Sequence, residues 1–236
     1  MASCLICGVG GQGVILASRV IAEAAMDKGL SVRTSETIGM AQRGGSVASH
    51  VRFGDGVFSP LIPFGEADAL LAFEPGEAVR CLPYVKQGGL LITCDRAVQP
   101  VRALTPYSGT EMVQYLRRAV RRCYVLSVRG VRDACGSGKA VNMALVGALV
   151  GSGITPFDLA DAERAMEKRV KEKFIGMNQD ALRYGAQMMG RRADDHEGRD
   201  PGRDTPPDWA GQGGRGLLRR QAKGRGPRGH YDQRGV

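Results

Sequence analysis

The residues best suited to chemistry lie in two glycine-rich segments near the start of the chain. The first, residues 8–14, has the sequence Gly-Val-Gly-Gly-Gln-Gly-Val and follows an apolar run. It matches the pattern G-x-G-x-x-G, in which glycines let backbone N–H groups approach a pyrophosphate at a helix N-terminus. The pattern predicts a phosphate-facing turn formed by Gly8, Gly10, Gly11, Gln12 and Gly13.

The second segment, residues 35–46, places polar side chains among glycines. Glycine permits positive φ and close approach of a ligand or another backbone. The planar guanidinium of Arg43 is suited to binding a carboxylate or phosphate, although a solvated ion pair with Glu36 is an equally good interpretation. Together, the two segments predict an anion-facing crevice.

A dinucleotide site would also need an acidic residue at the end of the second strand. Glu36 lies near that place, but inside the polar segment and three residues after Arg33. A free-standing NAD(P)-binding Rossmann dehydrogenase therefore stays open as an alternative.

Other motif-like segments favour structural roles. Residues 136–140 lack the first glycine and the hydroxyl residue of a P-loop and indicate the start of a helix. Gly54-Asp55-Gly56 resembles the start of a metal-binding motif of thiamine diphosphate enzymes, but the first asparagine of the chain is Asn142, so a turn is favoured. His50 has no second ligand at metal-binding spacing and is predicted to be structural. We find no nucleophile elbow or paired carboxylates and expect no catalytic residue on this chain.

The six cysteines are too thinly spread for a disulfide scaffold. Cys4 and Cys7 form a CxxC motif, but strand residues three apart point to opposite faces, so their thiols should diverge. A zinc or ferredoxin-type site would need a second such motif. Any iron–sulfur centre that the function requires is expected on another chain.

The first 190 residues have the composition of one folded domain. The chain has 236 residues, 43% of them hydrophobic, which is enough for one sizeable core. It has no apolar run of about 20 residues that could span a bilayer and no basic, apolar start typical of a secretory signal. We expect a cytoplasmic protein without membrane contact.

Residues 191–236 differ in composition from this domain. They carry 11 basic and 7 acidic residues, many Gly and Pro residues, and a single aliphatic pair, Leu217-Leu218. Such a segment buries too little apolar surface to offset its ordering entropy, so we predict a disordered tail. Its basic charge keeps a nucleic-acid-binding function open. Nonspecific attraction is favoured, because repeated aromatic stacking positions are missing.

Strand and helix patterns alternate through the domain. Strands are predicted at residues 3–9, 30–35, 46–53, 67–73, 89–94 and 123–128, and helices at 12–28, 75–85, 111–122, 139–150, 156–171 and 178–189. Gly29 should end the first helix, and the turn at 54–56 should pair 46–53 with Val57-Phe58 in an antiparallel hairpin. The fold class is α/β: an open, mostly parallel Rossmann-like sheet with helices on both faces and one antiparallel hairpin.

Several segments together resemble a known family. They are Gly8–Val14, Thr34-Ser35-Glu36, Gly39–Val47, His50-Val51-Arg52, Ser59–Pro63, Leu71–Pro75, Ala140–Met143 and Lys173-Phe174. Residues 3–188 are similar to the gamma-type domain of the 2-oxoacid:ferredoxin oxidoreductases, especially the indolepyruvate type. The long Gly-Met-x-Gln-Arg-Gly-Gly element carries most of this resemblance.

The resemblance implies a non-catalytic partner subunit in a hetero-oligomer. In this family, a large subunit carries thiamine diphosphate, magnesium and 4Fe-4S clusters; the complex oxidatively decarboxylates arylpyruvates to acyl-CoA and passes electrons to ferredoxin. The isolated chain is then expected to be inactive and to bind no metal or specific nucleic acid. Its first loop would contact coenzyme A, and the following residues would line the subunit interface or the acyl-acceptor path: Glu36, Met40, Gln42, Arg43, Gly44 and Gly45.

Overall fold

Strand β1 (Ala2–Val9) is apolar because both of its faces are covered. The structure is a computed structural model that describes residues 1–39, 45–98 and 108–196, with side chains up to residue 189. Within β1, Leu5 and Ile6 are fully buried in two different apolar clusters. Successive strand residues point to opposite faces, so one cluster lies on each side of the sheet.

Six strands of the described residues form one sheet in the order β2-β3-β1-β4-β5-β6. The remaining strands are β2 (Val32–Ile38), β3 (Ser46–Phe53), β4 (Ala67–Ala72), β5 (Val85–Cys94) and β6 (Arg122–Leu126). Strands β1, β4, β5 and β6 pair in parallel, whereas β3 is antiparallel to both β1 and β2. The predicted α/β fold with a mostly parallel sheet is confirmed.

The position of the antiparallel hairpin was predicted wrongly. Gly54 and Gly56 adopt positive φ, 111° and 73°, and form the turn that the sequence indicates. The chain then leaves the sheet, and Val57 and Phe58 belong to no strand. The partner of β3 is instead β2, across the connection formed by residues 39–45.

Helices cover the sheet on both faces. The described α-helices are α1 (Val14–Asp27), α2 (Pro75–Cys81), α3 (Gly109–Ala119), α4 (Val128–Cys135), α5 (Val141–Gly151), α6 (Leu159–Glu167) and α7 (Ile175–His196). One cluster contains Ile6 and Ile92 of the sheet with residues of α1, α5, α6 and α7. The opposite cluster contains Leu5 and Leu91 with residues of α2 and α3.

Helix α1 begins and ends at glycines with positive φ. Gly13 precedes the helix with φ 83°, and Gly29 follows it with φ 77°. Gly29 N–H donates to the Met26 carbonyl at 2.8 Å, and Leu30 N–H donates to the Ala25 carbonyl at 3.2 Å. This is the Schellman arrangement, which satisfies the last helix carbonyls. The predicted end of α1 at Gly29 is confirmed.

Besides shifts of a few residues at the ends of other elements, two larger differences from the predicted elements occur. Helix α4 follows directly after β6, where no helix was predicted. Helix α7 continues to His196 and so includes the first six residues of the predicted tail, 191–196. The rest of the predicted tail, residues 197–236, lies outside the described residues.

No single helix of the described part of the chain is long and apolar enough to cross a bilayer. Two helical segments that are bent by 119°, Val128–Cys135 and Gly138–Gly151, reach the length and composition only when they are taken together.

Helices α5 and α7 pack against each other with almost no space between their backbones. Every residue of α5 from Val141 to Val150 is buried, so this helix is the middle layer between the sheet and α7. A Cβ atom at Gly147 would overlap the Leu182 carbonyl, and one at Gly185 would overlap the Ala144 carbonyl. The two glycines therefore set the distance between the helices.

The segment between β3 and β4 is held on the sheet by His50. The imidazole Nδ1 accepts a hydrogen bond from Ile62 N–H at 3.1 Å, and the ring packs edge-on against Tyr84. Because His50 is buried, its pKa is lowered. The prediction of a structural histidine is confirmed.

The close contact at the glycines of α5 and α7 predicts that one added methyl group will lower the stability of the protein strongly. Gly185→Ala should lower the free energy of unfolding by about 2–3 kcal/mol, because the added carbon meets a buried carbonyl that cannot move freely. Gly176→Ala is the matched control in the same helix, where nothing lies within 4 Å of an added Cβ. It should be neutral or stabilise by up to about 1 kcal/mol. Chemical denaturation measures both values, and equal stability of the two variants would contradict the packing.

The lowered pKa of His50 predicts a stability that depends on pH. The unfolded chain binds a proton on this residue more readily than the folded chain, so stability should fall as the pH decreases below about 6.5. His50→Asn keeps an acceptor near Nδ1 but does not titrate. Melting temperatures between pH 7.5 and 5.5 should therefore decrease less for the variant than for the wild type. Parallel curves would show that another group causes the change.

Candidate functional site

The glycine-rich loop after β1 lies at the carboxyl edge of the sheet, where the strand order reverses, and the described ends of the second segment, Gly39 and Gly45, lie at the same edge. Strands β1 and β4 are parallel neighbours, but α1 and α2, which follow them, pack into the two opposite apolar clusters. Loops after such strands diverge and leave a crevice, which is the usual ligand site of open α/β sheets. Residues 10–13 follow β1 and residues 73–75 follow β4, so these are the two loops expected to flank such a crevice.

The side chain of Gln12 braces the first loop from inside. Its Oε1 accepts a hydrogen bond from Val9 N–H at 2.9 Å, and the backbone N–H of Gln12 donates to the Val9 carbonyl at 3.2 Å. A Cβ atom at Gly8 would lie 2.6 Å from this Oε1, so Gly8 makes room for the glutamine. Among the predicted loop residues, Gly8 and Gln12 thus shape the turn itself.

Gly11 and Gly13 play different parts in the same loop. Gly11 is exposed, with φ 94° and open space where a Cβ would lie. At Gly13, a Cβ would overlap the side-chain amide of Asn142, so the first turns of α1 and α5 are in contact. The exposed surface of the loop is therefore concentrated at Gly11.

The structure brings the second segment against the first. Gly10 N–H donates to the Gly45 carbonyl at 2.8 Å, and Gly39 N–H donates to the Ser46 carbonyl at 2.9 Å. The first bond places Gly45 of the second segment against the first loop, and the second bond links two residues within the second segment. The predicted site residues Met40, Gln42, Arg43 and Gly44 lie outside the described residues.

Glu36 lies away from the first loop. It is exposed on β2, and β3 separates this strand from β1. Two strand spacings of about 4.8 Å place β2 roughly 10 Å from the strand that carries the glycines. In a dinucleotide-binding fold, the strand with the acidic residue is the direct neighbour of β1. The topology therefore argues against the NAD-binding interpretation.

Sequence reasoning missed a cluster of polar side chains beside this contact. Ser46 Oγ donates to Glu77 Oε2 at 2.7 Å, Arg80 Nε donates to the same carboxylate at 2.9 Å, and the Arg80 guanidinium also contacts Ser46 Oγ. Glu77 and Arg80 lie on α2, 31 and 34 positions after Ser46. We call these three residues the Ser46 cluster.

The start of α2 gives this cluster a fixed base. Glu74 is buried, and its carboxylate accepts hydrogen bonds from Glu77 N–H at 2.8 Å and Val98 N–H at 3.2 Å. Pro75 occupies the first helical turn. An N-cap acceptor followed by proline is a recognisable helix start, so Glu-Pro was the one local signal that could have placed Glu77 at the crevice.

The CxxC motif has the geometry expected from its spacing. Cys4 and Cys7 are buried in opposite apolar clusters. Burial raises the pKa of Cys4 to about 12 and that of Cys7 well above its ordinary value, so both remain protonated thiols. Among the described residues, no group of three or more His, Cys, Asp or Glu side chains is arranged to hold a metal ion.

Residues 136–140 lead into a helix, as predicted, and they also end α4, which was not predicted. Gly136 ends α4 with φ 72°, and Ser137 Oγ accepts a hydrogen bond from Lys139 N–H at 3.2 Å. A short 3-10 turn then leads into α5. This segment caps helices and does not form a phosphate loop.

A cleft of about 260 Å³ lies at the other end of the sheet, between α3 and β6. It is lined by Asp95, Gly109, Thr110, Val113, Arg117, Val125 and Ser127. Strands β4 and β5 separate β6 from β1. The cleft is thus distinct from the crevice at the glycine loop.

The brace formed by Gln12 predicts a measurable loss when it is removed. Gln12→Ala should lower the free energy of unfolding by about 1–3 kcal/mol, because a partly buried N–H group loses its acceptor. Amide hydrogen exchange at Val9 should accelerate at the same time. Arg19→Ala, at an exposed position of α1, should change neither value. Unchanged protection at Val9 in the Gln12 variant would contradict the assigned role.

Comparison with known proteins supports the resemblance seen in the motifs. The family model of pyruvate ferredoxin/flavodoxin oxidoreductases matches residues 3–188. Indolepyruvate oxidoreductase subunit IorB of Archaeoglobus fulgidus is 39% identical over 188 residues, which are 77% of this chain and 92% of that protein. The subunit of the same name from Pyrococcus horikoshii is 34% identical, again over 77% and 92% of the two chains.

Solved structures agree with this assignment. The gamma subunit of keto/oxoacid ferredoxin oxidoreductase from Geobacter sulfurreducens has a TM-score of 0.60 and 25% identity, covering 81% of this chain and 99% of its own. The 2-oxoglutarate:ferredoxin oxidoreductase from Magnetococcus marinus, solved with 2-oxoglutarate, coenzyme A and succinyl-CoA bound, shares the fold at a TM-score of 0.59 and 19% identity; the match covers 87% of this chain and 33% of that one. The chain therefore belongs to the pyruvate ferredoxin/flavodoxin oxidoreductase family.

Proposed function

We propose that this chain is the small, non-catalytic partner subunit of an indolepyruvate-type 2-oxoacid:ferredoxin oxidoreductase. The observation that carries the proposal is the 39% identity to an indolepyruvate oxidoreductase subunit over 92% of that subunit's length. Relatives with the same name, from three other organisms, are 33–35% identical over at least 92% of their lengths. Because the match covers nearly the whole length of these subunits, it supports the view that this chain is an equivalent subunit and does not merely share a fragment with them.

The complex would oxidatively decarboxylate an arylpyruvate to an acyl-CoA, with ferredoxin as the electron acceptor. We place thiamine diphosphate, magnesium and the 4Fe-4S clusters on the larger partner subunit, where they would supply the decarboxylation and electron-transfer chemistry. The side chains described for this chain offer no fitting ligand set for them. Asp55, the acidic residue of the thiamine-like motif, lies in an exposed turn. This chain's own contribution is therefore to bind and to position.

The acyl acceptor, coenzyme A, suits the crevice at the glycine loop. Its phosphates are anionic, and the N-terminus of the 14-residue helix α1 presents positively polarised N–H groups there. Gly11 leaves open space at the surface of this loop. The Magnetococcus marinus protein, which shares the fold, was solved with coenzyme A bound.

We extend the proposal to residues 36–45 as part of the subunit interface or the path of the acyl acceptor. Gly45 is in contact with the glycine loop. Arg43 lies two residues before Gly45 and is the arginine closest to Gly45 in sequence. We also propose that the complex acts in the cytoplasm.

The proposal predicts a specific partner and a specific defect. An affinity-tagged form of this chain, expressed in its native host, should co-purify with a large iron–sulfur protein that oxidises arylpyruvates when ferredoxin and coenzyme A are present. The purified chain alone should be inactive. Arg43→Ala should weaken assembly or raise the KM for coenzyme A roughly tenfold, which corresponds to about 1.4 kcal/mol. Arg118→Ala, on an exposed face of α3, is the control.

Two results would contradict this function. The first is turnover of a 2-oxoacid by the purified chain without a partner. The second is tight binding of NAD or NADP to the chain in calorimetry, which the dehydrogenase alternative requires. Salt-sensitive retention on nucleic acid that disappears when residues 191–236 are deleted would instead support the nucleic-acid alternative.

A further inference from the structure

The Ser46 cluster connects α2 to the glycine loop through a short series of hydrogen bonds. Glu77 and Arg80 hold the Ser46 hydroxyl. The neighbouring residue, Gly45, accepts a hydrogen bond from Gly10 N–H at 2.8 Å. Ser46 itself is paired with Val9 in the register of β3 and β1. A displacement of Ser46 would therefore move the carbonyl that holds Gly10.

A single hydroxyl makes this connection possible. Glu77 offers only acceptor oxygens and Arg80 only donor nitrogens, whereas a serine hydroxyl donates and accepts at once. Ser46 Oγ donates to Glu77 and accepts from Arg80, and the carboxylate and guanidinium also pair with each other. Both hydrogen bonds of the hydroxyl involve a charged group and are therefore stronger than neutral ones.

The base of the cluster is more rigid than its exposed end. The Glu77 side chain is 14% exposed, and its backbone N–H is held by the buried carboxylate of Glu74. The Arg80 side chain is 50% exposed and reaches Ser46 from the solvent side. The Ser46 cluster thus fixes the position of Ser46, at the edge of the glycine loop, relative to the capped start of α2.

We propose that Glu77 and Arg80, acting through Ser46, are positioning residues that set the geometry of the Gly10–Gly13 loop for binding the acyl acceptor. This inference rests on the proposed function, in which coenzyme A binds at that loop. Arg80 and Glu77 act on the loop through Ser46 and Gly45, so they affect how well the loop fits its ligand. The reaction catalysed by the partner subunit should continue at an unchanged maximal rate.

The test uses the complex co-purified with the tagged chain and measures steady-state turnover with varied coenzyme A. Ser46→Ala and Arg80→Gln should each raise the KM for coenzyme A roughly tenfold, as expected for the loss of one charge-assisted hydrogen bond. The kcat and the KM for the arylpyruvate should change less than about twofold. Ser46→Thr keeps the hydroxyl and should restore the wild-type KM. Arg118→Gln, on α3, should have no effect.

A double variant separates positioning from a general loss of structure. Because Ser46 and Arg80 belong to one cluster, Ser46→Ala/Arg80→Gln should raise the KM little more than either single change. Size-exclusion chromatography and melting curves of every variant complex check assembly and folding. Intact complexes with the predicted KM pattern support the inference.

Other outcomes would overturn it. An unchanged KM in the two single variants, strictly multiplicative effects in the double variant, or a KM that Ser46→Thr fails to restore would each exclude a positioning role. Loss of the complex in Ser46→Ala would show that the cluster serves assembly. If turnover of the wild-type complex did not depend on coenzyme A at all, the proposed function itself would fail, and this inference with it.

Discussion

The site depends on the position of one strand, β3, between β1 and β2. Because β3 runs antiparallel to β1, its first residues lie beside the carboxyl end of β1. This is where the chain turns into α1 and exposes helix N–H groups. Gly45 and Gly10 can therefore share a hydrogen bond although 35 positions separate them in sequence.

The same constraint explains how α2 takes part. Strand β4 lies on the other side of β1, and its helix packs on the opposite face, so the start of α2 comes close to the first residue of β3. The buried carboxylate of Glu74 fixes this helix start through two backbone N–H groups. Buried carboxylates are costly unless such donors satisfy them. The capped helix is thus a rigid reference for the more exposed Ser46 cluster.

The layering of the domain was predictable from the sequence because periodicity reports which faces are buried. The opposite directions of Cys4 and Cys7, the end of α1 at Gly29 and the structural role of His50 followed from local rules. Helix α4 was missed because it has only eight residues and follows the end of β6 after a single residue, Ser127. The hairpin was misplaced because Gly54-Asp55-Gly56 is a strong local turn, whereas the true partner of β3 lies across residues 39–45. Ser46, Glu77 and Arg80 meet only through sheet topology, which no local pattern encodes.

The first loop illustrates why a motif must be interpreted with its surroundings. Gly8, Gly10 and Gly13 fit the dinucleotide pattern, yet Gly8 and Gly13 make room for the side chains of Gln12 and Asn142, and Gly10 donates its N–H to the Gly45 carbonyl. In the dinucleotide fold, the corresponding glycines serve close approach of the cofactor and of the helix. Here the turn is braced from inside by Gln12, and the acidic strand that would complete a nucleotide site is displaced by β3. The loop therefore shares its sequence pattern and its position at a helix N-terminus with dinucleotide-binding loops. Its shape, however, is set by contacts within its own chain, and its exposed side is at Gly11.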